Sequence, residues 1–278
     1  MVICLDIDLS YNIEESIIVI KDFLVNYLSN SKCKSVVIGL SGGIDSAVTA
    51  VICKEAIGKN NVLCLFLPDK TTSKLDIDHH NLLVDRFNLK SKTIEISDLV
   101  KNIEKICVIK PDKYCLANVK ARLRMNLLYE YANSTSSLVC GTSNKSELLT
   151  GYFTKYGDGG VDIFPIGDLY KTQVWELAKY LKIPKAIITK SPTAGLWHGQ
   201  TDEKELKLSY KQLDIILFGL ERKIDYKDIS RIAKVKNSDI ERIKNMRINS
   251  QHKRKTPLVP KIGLRTSGLD WRSPTNIG

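Results

Sequence analysis

The segment Ser41-Gly42-Gly43-Ile44-Asp45-Ser46 sets two glycines, two hydroxyls and a carboxylate side by side. Glycines lack the Cβ that would hold a ligand off the backbone, and they reach dihedrals other residues avoid. Where a helix begins, its first N–H groups have no intrahelical partner and lie at the positive end of its dipole, which suits an anion. Ser41 and Ser46 add hydroxyl donors to the same cradle. The chemistry indicated is phosphate binding. An aspartate among such donors makes sense once a divalent cation is added, with Asp45 a hard oxygen ligand for Mg²⁺ bridging to phosphate. The plainer reading is a glycine-rich strand-to-helix turn with a capping serine. G-x-x-x-x-G-K-[ST] and G-x-G-x-x-G are both lacking, so this is neither the common nucleotide loop nor a dehydrogenase-type turn.

The flanking sequence supplies the elements such a turn needs. Val36 to Ile38 is a β-branched run suited to a buried parallel strand, and Ala47 to Ala56 reads as helix. Residues 10–29 form an amphipathic helix capped by Asn12, with Ile13, Ile17, Ile20, Leu24, Tyr27 and Leu28 on one stripe. Strands are expected at Val62 to Leu67, Thr93 to Ile96 and Ser137 to Cys140, and helices at 75–87, 98–107, 118–132 (capped by Asn118) and 172–181. Strands alternating with helices at this spacing indicate an α/β fold, a doubly wound and mostly parallel sheet with helices on both faces. His79 and His80 are neighbours on a helix, cannot chelate from one face, and read as solvated surface.

Open sheets of this kind bind ligands beyond the carboxyl ends of their strands, where the strand order reverses. The strand at 137–140 runs into Gly141-Thr142-Ser143-Asn144-Lys145-Ser146-Glu147, so this loop is expected to face the first one. Thr142 would then touch a nucleotide and Glu147 would be a second Mg²⁺ ligand opposite Asp45. Glu147 is equally a first-turn acid favouring its helix dipole. The stretch from Gly151 to Asp162 interleaves four glycines with Lys155, Asp158 and Asp162, and reads as a mobile loop that orders over ligand.

Bulk properties bound the answer. The 278 residues suffice for one domain over 1–265 with a helical C-terminal extension, followed by a flexible tail at 266–278. No apolar run approaches the roughly 18 residues that cross a bilayer, and the acidic N-terminus is no signal peptide. Seven cysteines without a C-x-x-C pair read as reduced thiols of a cytoplasmic protein. The net charge of +11 falls mostly in residues 201–278, where it would serve tRNA or the phosphates of a small ligand. Residues 229–243 have the outline of a helix-turn-helix, yet Asp239 and Glu241 would meet DNA phosphate badly, so a packing helix pair is preferred.

S-G-G-x-D-S resembles the loop of ATP pyrophosphatases of the adenine nucleotide alpha hydrolase type. With G-T-S-N-K-S-E, T-K-Y-G-D-G-G-V-D, P-I-G-D-L-Y-K-T-Q-V and S-P-T-A-G-L-W-H-G-Q-T-D-E following in order, residues 35–262 resemble the ammonia-dependent NAD synthetases. That resemblance implies that Gly39, Leu40, Ser41, Gly42, Gly43, Ile44, Asp45 and Ser46 hold ATP, together with Thr142, Lys171 and Thr193. It implies Asp45 and Glu147 on Mg²⁺, and Arg122, Lys155, Asp162, His252 and Lys253 on deamido-NAD. The reaction implied is amidation of deamido-NAD by ammonia through an acyl-adenylate, giving NAD, AMP and pyrophosphate. Lys171 would be catalytic, and Asp158 would hold ammonium and accept its proton. A homodimer is implied, with neither nucleic acid nor membrane as partner. About 40 residues precede the loop, too few for a glutaminase domain, so ammonia is the expected nitrogen source and a separate glutaminase a candidate supplier. A tRNA-modifying relative, lysidine synthetase- or thiolase-like, remains the alternative, since it shares the first loop.

Overall fold

The computed structural model describes residues 7–193, 195–197 and 199–266; the tail expected at 266–278 lies outside these except for Thr266. Four parallel strands, β1 (Ser35–Gly39), β2 (Val62–Phe66), β3 (Lys90–Thr93) and β4 (Ser137–Cys140), pair in the order β3-β2-β1-β4. The chain winds outward from β1 to β3 and then crosses to the other side for β4, so the order reverses between β1 and β4. The register Ser35↔Ser137 to Ile38↔Cys140 brings the carboxyl ends of those two strands together.

Alternation along the strands builds two cores. Val36, Ile38 and Cys64 face α1 (Ile13–Ser31), α2 (Ile44–Ile57) and α7 (Lys171–Tyr180). Val37, Leu65 and Val139 face the other way, onto α4 (Ser97–Ile106) and α5 (Lys113–Thr135). This is the period-two pattern of a sheet covered on both faces. A third core lies mainly among helices: α9 (Asp202–Leu206), α10 (Tyr210–Glu221), α11 (Tyr226–Ala233) and α12 (Asn237–Asn249) bury Leu206, Tyr210, Leu213, Ile229, Ala233, Ile240 and Ile243. The pair α11 and α12 is thus a packing unit.

Three expectations need correction. β3 ends at Thr93, and the residues expected as strand continue it only through Ile94 N–H to the Phe66 carbonyl and Ile96 N–H to the Pro68 carbonyl, both 2.9 Å. α5 starts five residues before Asn118, because Asp112 caps it by accepting from Cys115 N–H at 2.7 Å. His79 and His80, on α3 (Lys74–Phe87), are buried. The His80 ring stacks on Phe66 and bonds the Leu40 carbonyl through Nδ1 at 3.1 Å and Ser91 Oγ through Nε2 at 3.2 Å.

Candidate active site

The turn between β1 and α2 is held by its own hydroxyls. Ser46 Oγ accepts from Ser41 N–H at 3.2 Å and donates to the Gly43 carbonyl at 3.0 Å, while Ser41 Oγ accepts from Gly43 N–H at 3.3 Å. Gly42 has φ +82°, and a Cβ there would meet the Asp76 carbonyl oxygen at 2.5 Å. Both facts demand glycine: the backbone is left-handed, and α3 presses against the turn.

The loop after β4 supplies the facing side. α6 (Lys145–Thr150) opens with a capping box, in which Asn144 Oδ1 accepts from Glu147 N–H at 3.1 Å and Glu147 Oε2 from Asn144 N–H at 3.2 Å. Asn144 also donates through Nδ2 to Asp45 Oδ1 at 2.9 Å, joining the two loops. Between them lies Lys171, the first residue of α7 and buried, its ammonium bonded to Asp45 Oδ2 and 3.4 Å from Glu147 Oε1. Burial works to lower the Lys171 pKa, but the carboxylates of Asp45 and Glu147 outweigh it and hold the amine charged. Burial pushes the Glu147 carboxyl upward, against the pull of Lys171.

Lys171 and Glu147 are braced from behind. Asp214 on α10 is fully buried and accepts from Ser146 Oγ at 2.5 Å, Thr172 N–H at 2.8 Å and Thr172 Oγ1 at 2.8 Å. One carboxylate therefore fixes the first turns of α6 and α7, next to the two charged residues that meet at the site. Its pKa is pushed up to about 6 by burial.

These elements enclose a cavity of about 290 Å³ at the β1/β4 switch point. Gly39, Leu40, Ser41, Gly43, Ile44, Asp45, Ser46, Thr142, Glu147, Asp158, Lys171 and Thr193 all line it. Gly42 faces α3 instead. Arg122, Lys155, Asp162, His252 and Lys253 are not among its lining residues. Arg122 is exposed and donates to the Lys155 carbonyl at 3.3 Å. Asp162 accepts from Tyr129 Oη and Val139 N–H, and Lys253 donates to the Gly151 and Phe153 carbonyls, both at 2.7 Å.

The stretch 151–162, read as a loop, is folded into turns held by its own hydrogen bonds. Thr154 accepts from Gly157 and Gly159 N–H at 3.0 and 3.1 Å, and Asp158 Oδ1 accepts from Thr154 N–H at 2.8 Å. Its glycines serve close contact; at Gly159 a Cβ would lie 2.4 Å from the Phe153 ring. Asp158 is open to the cavity but ringed by protein, which raises its pKa against the Thr154 bond and the charges of Lys253 and Arg124.

Sequence reasoning missed Asn144, Asp202 and Asp214. Asn144 was findable, since N-x-x-E before a helix signals a capping box. Asp202 lines the cavity, buried, and accepts from Tyr210 Oη at 3.0 Å and Tyr152 Oη at 3.2 Å. Among the described residues no group of three or more His, Cys, Asp or Glu could by itself hold a metal. Asp45 and Glu147 converging on one ammonium still fit Mg²⁺, a hard ion that takes one or two carboxylates and fills its shell with water and phosphate.

Comparison with known proteins gives the family. The family model for NAD synthase matches residues 16–257. The NH₃-dependent NAD⁺ synthetase of Pyrococcus furiosus is 42% identical over 240 residues, covering 86% of this chain and 93% of that one. Among solved structures, the NMN synthetase of Francisella tularensis superposes with a TM-score of 0.81 and 34% identity, covering 91% of this chain and all of the other. The NH₃-dependent NAD synthetase of Campylobacter jejuni, in complex with nitrate, does so with a TM-score of 0.77, 34% identity and the same coverage.

Proposed function

This chain belongs to the NAD synthase family, and from that premise we propose that it amidates deamido-NAD with ammonia at the expense of ATP, giving NAD⁺, AMP and pyrophosphate. The observation that carries the reading is Lys171 seated between Asp45 and Glu147 above a glycine turn, at the point where the strand order reverses.

A carboxylate resists ammonia because it is an anion with a poor leaving group. In the proposed reaction the nicotinate carboxylate attacks the α-phosphorus of ATP and pyrophosphate leaves; ammonia then adds to the acyl carbon and AMP departs. The first N–H groups of α2, with Ser41 and Ser46, hold the phosphates, Thr142 and Thr193 also contact ATP, and Lys171 meets charge developing on the leaving oxygens. Mg²⁺ held by Asp45 and Glu147 would supply further positive charge to those oxygens. Asp158, lining the cavity, is assigned to ammonium, whose proton its carboxylate accepts. Arg122, Lys155, Asp162, His252 and Lys253 are assigned to deamido-NAD, reaching it outside the cavity. A homodimer, an ammonia supply from a separate glutaminase and a cytoplasmic setting belong to the same reading.

The Francisella likeness favours a second reading, in which the acid is the mononucleotide and the product NMN. One experiment separates the two: mass spectrometry of products after incubation with ATP, Mg²⁺, ammonium and either deamido-NAD or nicotinate mononucleotide. AMP with NAD⁺ from the dinucleotide is the expected result. AMP with NMN from the mononucleotide alone would replace it by the second reading, and AMP from neither would refute both.

A further inference from the structure

The charged groups lining the cavity are five acids, Asp45, Asp76, Glu147, Asp158 and Asp202, and three cations, Arg124, Lys171 and Lys190. This is a poor reception for a polyanion. Lys171 is paired with two carboxylates and so brings little net positive charge of its own, and Arg124 Nε is fixed to the Leu67 carbonyl at 2.9 Å, where Leu65, Phe66, Met125 and Leu128 make the wall apolar. Lys190 differs. Among the described residues it has a single ion-pair partner, Asp76 Oδ1, and the two side chains keep 15% and 18% of their surface exposed.

Its place is equally specific. Asp76 is the residue whose backbone oxygen abuts Gly42, so the Lys190–Asp76 pair stands beside the phosphate turn. Asp76 has a second partner in Ser73, whose Oγ donates to Oδ2 at 2.6 Å, and it remains bonded if Lys190 leaves. Lys190 also begins the segment that carries Ser191, Pro192 and Thr193 along the cavity.

We propose that Lys190 is a catalytic residue for pyrophosphate departure, its ammonium passing from Asp76 to the β- and γ-phosphate oxygens when ATP binds. The inference rests on the adenylating reaction proposed above. In that step a bond forms between the substrate carboxylate oxygen and the α-phosphorus. The bond from the α-phosphorus to the bridging oxygen breaks, and its electron pair stays on pyrophosphate. No proton needs to move, and Lys190 offsets the charge that collects on the departing group.

Calorimetric titration of the full chain with Mg²⁺ and either inorganic pyrophosphate, ATP or AMP tests this. Lys190→Met should weaken pyrophosphate and ATP about tenfold or more and leave AMP within about twofold, as expected for one charge-assisted contact. Lys190→Arg should retain most of the affinity, and Asp76→Asn, which frees the ammonium, should bind pyrophosphate at least as tightly as the unaltered chain. Equal losses in Lys190→Met and Asp76→Asn would mean that the pair only staples the segment, and would overturn the proposal. So would full pyrophosphate affinity in Lys190→Met. An unaltered chain binding neither ATP nor pyrophosphate would sink the adenylation reading first and this inference with it.

Discussion

The cavity has two walls built on opposite principles. The β1–α2 turn is secured by backbone and short side chains within a few residues of one another, over strands buried on both faces. A second wall, to which Lys190, Leu196 and Asp202 belong, is tied also by side chains from distant elements. Lys190 pairs with Asp76, Lys120 donates to the Leu196 carbonyl at 3.1 Å, and Asp202 holds Tyr152 and Tyr210. Local hydrogen bonds on a rigid core fix geometry, which charge stabilisation in a transition state requires. Tethers that can be released one at a time leave a wall able to adjust to what enters. On the proposed reaction, damage to the first wall should fall chiefly on turnover, and damage to the second chiefly on nucleotide affinity.

The largest test strikes the first wall. Asp45→Asn keeps a partner for Asn144 but strips a charge from Lys171, and should cut turnover on the order of 1,000-fold at saturating ATP. Steady-state kinetics with AMP release as the readout check it; a loss confined to KM would erase the distinction between the walls. Next comes a far-wall anchor. Lys120→Met leaves Asp69, 3% exposed, without its ion pair at 2.6 Å, and should cost about 3–5 kcal/mol in urea unfolding. Among survivors of that loss, KM for ATP should rise more than kcat falls.

The brace behind the first wall gives a pH test. Asp214 has its pKa raised from 3.8 to about 6 by burial, so the folded protein binds this proton more tightly than the unfolded chain does. Its contribution to stability is therefore full below about pH 4 and is lost as pH rises through about 6, a swing of about 3 kcal/mol at most. In Asp214→Asn that part of the pH dependence should vanish from urea midpoints measured between pH 4 and 7. An unchanged profile would show that another group carries it. The smallest expected effect is Gly42→Ala, where left-handed backbone and the Asp76 carbonyl should cost about 1–3 kcal/mol and weaken ATP binding in proportion.

How far the sequence could be read follows the same division. The glycine turn was legible because its glycines, hydroxyls and carboxylate are contiguous, β1 because a β-branched run marks a buried strand, and β2 and β4 because short apolar runs do so too. β3 was misplaced because its residues Lys90 to Thr93 are polar at a sheet edge, while the apolar Ile94 and Ile96 lie just beyond it. His79 and His80 could not be assigned to the interior from α3 alone, since what covers them comes from Leu40, Phe66 and the turn at Gly42. Lys171 entered by family likeness only; 126 residues separate it from Asp45, and no local pattern joins them. Asp214 carried no signal at all, an acid on an amphipathic helix until two other helices are docked against it.

That carboxylate also bears on how the chain is made. Synthesis runs from the N-terminus, and β1 to β4 precede Asp214, which trails Ser146 by 68 residues. A nascent chain can pair its sheet before the clamp for its charged centre has left the ribosome. The charged centre is thus braced late in the life of each molecule, when α10 docks, and after the elements of the nucleotide cradle have been made.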